Sequence, residues 1–148
     1  MKMKLKLKVM LDPGAKMPTQ AYEKDAGFDL YSPIDTVVPV QSAFTDGNVC
    51  IDTGVHIEIP AGYAGFLKSK SGLNVRNGIQ SEGVIDAGYT GSIMVKLYNH
   101  GKDPVPIKKG QKISQICFLP IVTPELELVD SLEETERGAS GFGSTGKF

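Results

Sequence analysis

The sequence predicts an all-β domain, built either as a sandwich or as a barrel. Short apolar runs with strand periodicity recur along the chain, turn-forming residues separate them, and no helical periodicity extends over three turns. The turn-formers include 17 glycines and 9 prolines among 148 residues. A chain of this length suits one domain with a real core rather than two domains.

The first predicted strand covers residues 3–9, where apolar residues alternate with Lys4, Lys6 and Lys8. A period of two is typical of a half-buried strand, with the lysines on its wet face. Lysines on an edge strand discourage aggregation between sheets; a basic patch for anionic partners is the alternative interpretation.

Seven further runs of strand-forming residues follow, separated by breakers rich in Gly, Pro and Asn. They cover residues 28–31, 36–40, 49–59, 64–68, 93–98, 113–119 and 126–129. The only helix candidate is Ser71–Asn77, which allows at most two turns.

Composition excludes several classes of function. The formal net charge is -1, from 16 Lys+Arg against 17 Asp+Glu, so we expect no polynucleotide partner. Apolar stretches are only a few residues long, and the amino terminus lacks the basic-then-apolar pattern of a signal peptide. We therefore expect no membrane span and a cytoplasmic location.

The cysteines and histidines are isolated from one another. Cys50 and Cys117 each lie in an apolar run without a second ligand at metal spacing, so we expect reduced core thiols. His56 and His100 are equally isolated, which argues against a Ser-His-Asp hydrolase and a histidine-rich zinc site. We expect the chemistry to depend on carboxylates, hydroxyls and glycines.

The segment 83–91 is punctuated by glycines and predicts a tight hairpin with Asp86 and Tyr89 at its tip. A carboxylate on such a rigid turn can act as a general base toward water. The alternative, favoured by the residues alone, is an aspartate that caps the turn through its own backbone. Residues 68–73 place cations and hydroxyls beside a glycine at a possible helix start, which suits phosphate binding.

Beyond Ser131 an acidic stretch is followed by the glycine- and hydroxyl-rich residues 137–146. Such a segment cannot bury enough apolar surface to fold alone. It predicts either a phosphate-binding wrap, in which glycine N–H groups turn around an anion, or an ordinary flexible tail. It is not a Walker A loop, because Phe148 stands where that loop has Ser or Thr after Gly146 and Lys147. Phe142, between two glycines, is a candidate for stacking on a nucleobase.

Taken in order, five segments resemble the five motifs of the trimeric dUTPase family. They are residues 25–30, 69–73, 83–89, 109–115 and 137–146. The resemblance implies a distorted jelly-roll-like β-barrel over residues 1–131 with at most one short helix. It also implies a flexible C-terminal arm, residues 132–148, that closes over a neighbouring subunit's site in a homotrimer.

The activity implied by this resemblance is Mg²⁺-assisted hydrolysis of dUTP to dUMP and pyrophosphate, which keeps uracil out of DNA and supplies dUMP for dTMP synthesis. Asp86 would deprotonate the water that attacks the α-phosphorus. The backbone of Gly83, Val84 and Ile85 would pair with uracil, and Tyr89 would pack beneath the deoxyribose and exclude ribose by shape.

The resemblance also assigns contacts to the triphosphate and the metal. Phosphate ligands would be Lys70, Ser71, Gly72, Gln115, Arg137, Gly143, Ser144 and Thr145, with Phe142 stacked on the uracil. Mg²⁺ would be held mainly by substrate phosphates, with Asp29 reaching it through water. Lys70 departs from the family, which usually has Arg there after a Pro; Lys keeps the charge but loses the bidentate fork.

Two other functions stay open. A dCTP deaminase-like enzyme shares the fold but uses a glutamate to add water to the base, and Asp86, Tyr89 and the complete fifth motif argue against it. A dUTPase-like regulatory protein that binds a protein partner is compatible with the residues as an added role.

Overall fold

The computed structural model describes residues 5–146, and within them it confirms the all-β prediction with ten strands and one short helix. The strands are β1 (Lys8–Leu11), β2 (Gly27–Tyr31), β3 (Thr36–Val38), β4 (Asn48–Asp52), β5 (Val55–Glu58), β6 (Tyr63–Ser69), β7 (Ile79–Ile85), β8 (Met94–Asn99), β9 (Val105–Ile107) and β10 (Lys112–Pro120). The helix α1 is Ser71–Asn77, as predicted.

Six strands form one curled, half-barrel sheet in the order β2-β10-β6-β7-β8-β4. Two small sheets, β1-β5 and β3-β9, complete the fold, and the neighbouring strands pair antiparallel. Alternate residues face the core: Val95 and Leu97 on β8 are fully buried, while Lys96 between them is exposed. Each such aliphatic side chain stabilises the fold by about 1.5–3 kcal/mol through burial.

The helix ends at Gly78, whose N–H donates to the carbonyl of Asn74 at 2.9 Å. Gly78 has a φ of 69°, in the left-handed region, and a Cβ there would lie 2.8 Å from the backbone nitrogen of Gly101. Both facts require glycine, which explains why the helix stops after two turns.

The predicted strand 49–59 is in fact two strands, β4 and β5, interrupted at Thr53 and Gly54. Gly54 has a φ of 66°, and the buried Thr53 hydroxyl donates to the carbonyl of Ile93 at 2.7 Å. Strand β9 was not predicted because Pro106 indicated a breaker. A proline is tolerated there because, among residues 5–146, β9 pairs only with β3, so one of its edges needs no donor.

At the amino terminus β1 begins at Lys8 and ends at Leu11, later than the predicted strand 3–9. Met3 and Lys4 lie outside the described residues. Lys6 and Lys8 are exposed, as expected of a wet face, and Lys8 forms an ion pair with Glu58 of β5 at 3.2 Å.

The predicted strand 126–129 is wrong: residues 121–129 have no regular secondary structure, and residues 122–146 are all exposed. Leu126 is 89% and Leu128 100% exposed. Their alternating pattern finds no partner strand among residues 5–146. The last strand ends at Pro120, well before residue 131, the predicted end of the barrel domain.

The prediction that both cysteines are core thiols is wrong for Cys50, which is exposed; Cys117 is partly buried, and both are free. Strand β4 lies at the edge of the sheet with Ile51 facing the core, so the adjacent Cys50 faces outward. Across residues 5–146 there is no helix with the length and apolar character needed to cross a membrane.

Candidate active site

Asp86 begins a turn at the end of β7. The N–H of Tyr89 donates to the carbonyl of Asp86 at 3.2 Å, and Gly88 has the positive φ, 85°, that a type II turn needs at its third position. The backbone therefore closes this turn. The Asp86 carboxylate is exposed and makes no hydrogen bond or ion pair with any residue from 5 to 146, so a side-chain cap is not its role here.

A pocket of about 170 Å³ adjoins this turn, lined by Val84, Ile85, Asp86, Tyr89 and Met94. Four of these five are residues to which the family resemblance assigned contact with substrate or catalysis. Tyr89 is 44% exposed, and its hydroxyl donates to the carbonyl of Ser92 at 2.9 Å, which fixes the ring at the pocket wall. The pocket thus combines an available carboxylate with a flat aromatic surface.

The β7 backbone beside this pocket has an open edge. Residues 82–85 pair with β6 on one side, but pairing with β8 covers only residues 79–81. From Glu82 to Ile85 the edge facing away from β6 has no partner strand in the described part of the chain. The prediction of a tight hairpin is therefore wrong: the pairing of β7 with β8 stops before the turn begins. The unpaired backbone groups of β7 are available to a ligand.

At the other end of the sheet lies a second group, the basic cluster, which comprises Asp29, Lys70, Lys112 and Gln115. Asp29 is buried on β2, opposite Gln115 of β10. Its carboxylate oxygens contact two ammonium groups, Lys70 Nζ at 2.5 Å and Lys112 Nζ at 2.6 Å. Gln115 Nε2 donates to the carbonyl of Ser69 at 3.0 Å, which ties β10 to the segment carrying Lys70.

Electrostatics explain why Asp29 is charged although it is buried. Burial alone raises the pKa of Asp29, but hydrogen bonds from Lys112 and Lys70 outweigh it and hold that pKa below its ordinary value. The same contact raises the pKa of Lys112. With two lysines on one carboxylate, these three side chains carry a net charge of +1, which suits an anionic ligand.

The predicted metal role of Asp29 stays a prediction. In the described residues each of its two oxygens contacts one lysine, and its side chain is only 6% exposed. Within residues 5–146 no group of three or more His, Cys, Asp or Glu side chains is placed to hold a metal ion. The structure offers Asp29 the role of pairing Lys70 and Lys112.

Sequence reasoning missed Lys112 as a site residue. It lies in the segment 109–115, three residues before Gln115, but its relevance depends on the pairing of β10 with β2, which places it opposite Tyr31 and near Asp29. The pattern of residues alone does not reveal that register.

The start of α1 adjoins the basic cluster. Lys70 is the N-cap residue, and the helix has no side-chain cap hydrogen bond. Ser71 and Gly72, in its first turn, are exposed. Uncapped N–H groups beside a lysine can donate hydrogen bonds to phosphate oxygens, as predicted for this segment.

The Asp86 turn and the basic cluster lie at opposite ends of the β6-β7 ladder. The N–H of Ser81 donates to the Ser69 hydroxyl at 3.0 Å at one end, and Ile85 pairs with Gly65 at the other. Four residue steps along a strand separate these ends by about 13 Å. A single chain therefore does not bring Asp86 and Lys70 to the same phosphorus atom.

The arm folds on itself rather than on the sheet. Arg137 Nε donates to the carbonyl of Ser140 at 3.1 Å, and the hydrogen bonds of residues 135–146 all stay within that segment of the described chain. An open pocket of about 500 Å³ is lined by Thr135, Glu136, Arg137, Ser140, Ser144 and Thr145. Gly143, with a φ of 78°, allows the bend, and Phe142 is fully exposed.

Comparisons with known proteins agree on one family. The family model described as dUTPase matches residues 14–146. A deoxyuridine 5'-triphosphate nucleotidohydrolase of Clostridium tetani is 42% identical over 147 residues, covering 97% of each chain. The enzyme of the same name from Saccharomyces cerevisiae is 40% identical over 143 residues, covering 95% of this chain and 94% of its own.

Solved structures give the same result. The dUTPase of Staphylococcus bacteriophage 80alpha with dUPNHPP superimposes with a TM-score of 0.88 at 31% identity, covering 97% of this chain and 100% of that one. A dUTPase variant of phage phi11 of S. aureus, described as coordinating a structural Mg(II) ion, has a TM-score of 0.77 at 28% identity and covers 88% of this chain and all of its own. Sequence and fold together show that the chain belongs to the dUTPase family.

Proposed function

We propose that this chain hydrolyses dUTP to dUMP and pyrophosphate, with Asp86 as the general base. One observation carries the proposal: an exposed carboxylate without a partner in residues 5–146 stands on a backbone-closed turn, beside a pocket lined by Val84, Ile85 and Tyr89. The relatives named deoxyuridine 5'-triphosphate nucleotidohydrolase support the substrate class.

Selectivity follows from the open edge of β7. Backbone N–H and C=O groups between Gly83 and Ile85 pair with the edge of uracil, and their fixed geometry rejects the donor pattern of cytosine and the methyl group of thymine. The Tyr89 ring packs beneath the deoxyribose, where a 2′-hydroxyl would collide. Because the backbone recognises the base, side-chain changes at Val84 alter the selectivity little.

The chemical step needs one proton transfer. Asp86 accepts a proton from water, the water oxygen forms a bond to the α-phosphorus, and the bond from that phosphorus to the bridging oxygen breaks, so pyrophosphate leaves. A positioned base of this kind contributes about 10²–10⁴-fold to the rate. The turn makes Asp86 effective because its backbone is already fixed before substrate binds.

The basic cluster and the arm hold the phosphates in this proposal. Lys70, Ser71, Gly72 and Gln115 contact the triphosphate from the body of the protein. The second lysine on Asp29 matters here: Lys70 can turn to a phosphate while Lys112 keeps the buried carboxylate paired. We assign no protein ligand to Mg²⁺ and expect the ion to enter on the substrate's phosphate oxygens.

We propose that the active form is a homotrimer with shared sites. The separation of Asp86 from Lys70 along the β6-β7 ladder supports this, because a second copy can supply the missing half of each site. The exposed alternation of Leu126 and Leu128 supports it as well, since a neighbouring sheet would give that segment the partner it lacks in residues 5–146. The arm would then bring Arg137, Phe142, Gly143, Ser144 and Thr145 over a neighbour's nucleotide.

Pyrophosphate release from dUTP, with dTTP, dCTP and UTP as controls, tests the function. We expect turnover of dUTP and little of the others. Ammonia release from dCTP without dUTP hydrolysis would instead identify a deaminase. Light scattering of the purified chain tests the trimer, and subcellular fractionation tests the predicted cytoplasmic location.

A further inference from the structure

The segment after the Asp86 turn is tied to the turn between β4 and β5. The N–H of Ile93 donates to the carbonyl of Val55 at 2.8 Å. The Ser92 hydroxyl donates to the carboxylate of Asp52, and these bonds fix residues 92 and 93. Thr90, directly after Tyr89, is held differently.

The carbonyl of Thr90 is 2.7 Å from His56 Nδ1. Within residues 5–146 this is the one hydrogen bond that Thr90 makes. His56 lies on β5 opposite Met10 of β1. Its other ring nitrogen, Nε2, is 3.1 Å from the carboxylate of Asp12, which follows β1 directly. The imidazole therefore bridges the amino-terminal strand and the segment that carries Asp86 and Tyr89.

Both partners of the ring are acceptors without a proton, a carbonyl and a carboxylate. Both hydrogen bonds can form together only when both ring nitrogens carry hydrogen, that is, when His56 is an imidazolium. The bond to Thr90 first, and then the bond to Asp12, raise the pKa of His56 against the opposing effect of desolvation.

The remaining charged groups around the ring are consistent with this state. Asp52 adds negative charge near His56, and its own pKa is kept below the ordinary value by hydrogen bonds from Ser92 and Gly54. Lys8 and Glu58, farther along the β1-β5 pair, neutralise each other at 3.2 Å. The nearest net charge facing His56 is therefore negative.

We propose that His56 is a positioning residue for the reaction: as an imidazolium it holds the Thr90 carbonyl and so supports the turn bond and the Tyr89–Ser92 bond that keep Asp86 and Tyr89 at the substrate pocket. The inference rests on the proposed function of that site. A neutral imidazole can donate to only one of its two acceptors, and the charged carboxylate of Asp12 is the stronger acceptor, so deprotonation releases Thr90. The folded pKa is raised, so this stabilisation is complete below the unfolded pKa and is lost as pH rises through the folded one.

The first test is an NMR titration, which is simple because the chain has two histidines. His100 is the matched control: it is exposed, and its Nε2 meets the side-chain oxygen of Gln80 at 2.9 Å, so His100→Gln assigns the two signals. We expect His56 to titrate above the ordinary histidine value of about 6.5, and Asp12→Asn to lower its pKa. A His56 pKa at or below the ordinary value would overturn the proposal.

The second test is the pH profile of dUTP hydrolysis. We expect kcat of the wild type to fall by roughly threefold to tenfold as pH rises through the pKa measured for His56. His56→Gln keeps a neutral donor for Thr90 and should lose this fall, whereas His100→Gln should retain it. Circular dichroism confirms that each variant is folded.

The outcomes separate the two proposals. An active wild type whose pH profile is unchanged by His56→Gln would refute the positioning role and leave the proposed function intact. A wild type that releases no pyrophosphate from dUTP would refute the proposed function and the positioning role with it, whatever the titration of His56 shows.

Discussion

Asp29 and Asp86 are carboxylates of the same sheet in opposite situations. Asp29 is buried at the end of the β6-β7 ladder where Lys70 lies, with both oxygens paired to lysines. Asp86 is exposed at the other end and has no side-chain partner within residues 5–146. The paired aspartate, Asp29, holds two lysine side chains in place, and the unpaired one, Asp86, is available to accept a proton.

The comparison is sharpest for Asp86→Asn. We expect kcat for dUTP to fall by about 10²–10⁴-fold, because the amide cannot accept the proton of the attacking water. Stability should change little, since no contact is lost. Pyrophosphate release and thermal unfolding measure the two quantities. Comparable rates in the two proteins would show that Asp86 is not the base.

Removal of residues 137–148 leaves both aspartates in place but takes away the arm. We expect turnover to fall by about 10²-fold, because closure over the nucleotide and the positioning of its phosphates are lost. The control is the oligomeric state, which light scattering should show unchanged. Dissociation of the assembly on this deletion would mean that the arm is structural.

Asp29→Asn should reverse the pattern of Asp86→Asn: its main effect should be on stability rather than on kcat. It leaves Lys70 and Lys112 without their anion, and we expect a loss of about 2 kcal/mol in the free energy of unfolding; Lys112, 45% exposed, keeps part of its hydration. Urea unfolding measures it. A loss of less than about 0.5 kcal/mol would show that the pair is no stronger than a surface ion pair.

The same aspartate gives a pH dependence. Its folded pKa lies below the ordinary aspartate value of 3.8, so the stabilisation is present above that value and is lost as pH falls through the folded pKa. Urea unfolding of the wild type should therefore show a steeper loss of stability below pH 3.8 than that of Asp29→Asn. Parallel curves would contradict the assignment.

The smallest effect is expected for Lys70→Arg. The guanidinium keeps the positive charge and adds a bidentate contact to phosphate, so we expect KM for dUTP to fall by about twofold to threefold with kcat nearly unchanged. Steady-state kinetics measure both. An unchanged KM and kcat would show that the substitution is neutral.

Local patterns predicted much of this fold. Runs of strand-forming residues between breakers predicted the strands of the large sheet except β7, and Ser71–Asn77 was predicted with its observed bounds. The errors have physical causes: Pro106 is acceptable on an edge, and Gly54 interrupts a run that looks continuous. The strand at 126–129 needs a partner that residues 5–146 do not supply.

The site was predictable residue by residue but not in its geometry. The motifs pointed to Asp86, Tyr89 and Lys70, and the structure gathers Asp86 and Tyr89 around one pocket. The double pairing of Asp29 was not foreseen, because it depends on the register of β10 against β2 and on Lys112. Long-range register is set by packing, which a one-dimensional pattern does not encode.

Because the two halves of a site lie at opposite ends of the β6-β7 ladder, the rate per chain should depend on the concentration of the chain. Every copy carries both halves of a site, yet under the proposed assembly an isolated copy holds no complete one. Dilution below the association range would therefore reduce the rate per chain without unfolding any chain. Specific activity would then report on assembly as directly as a measured mass.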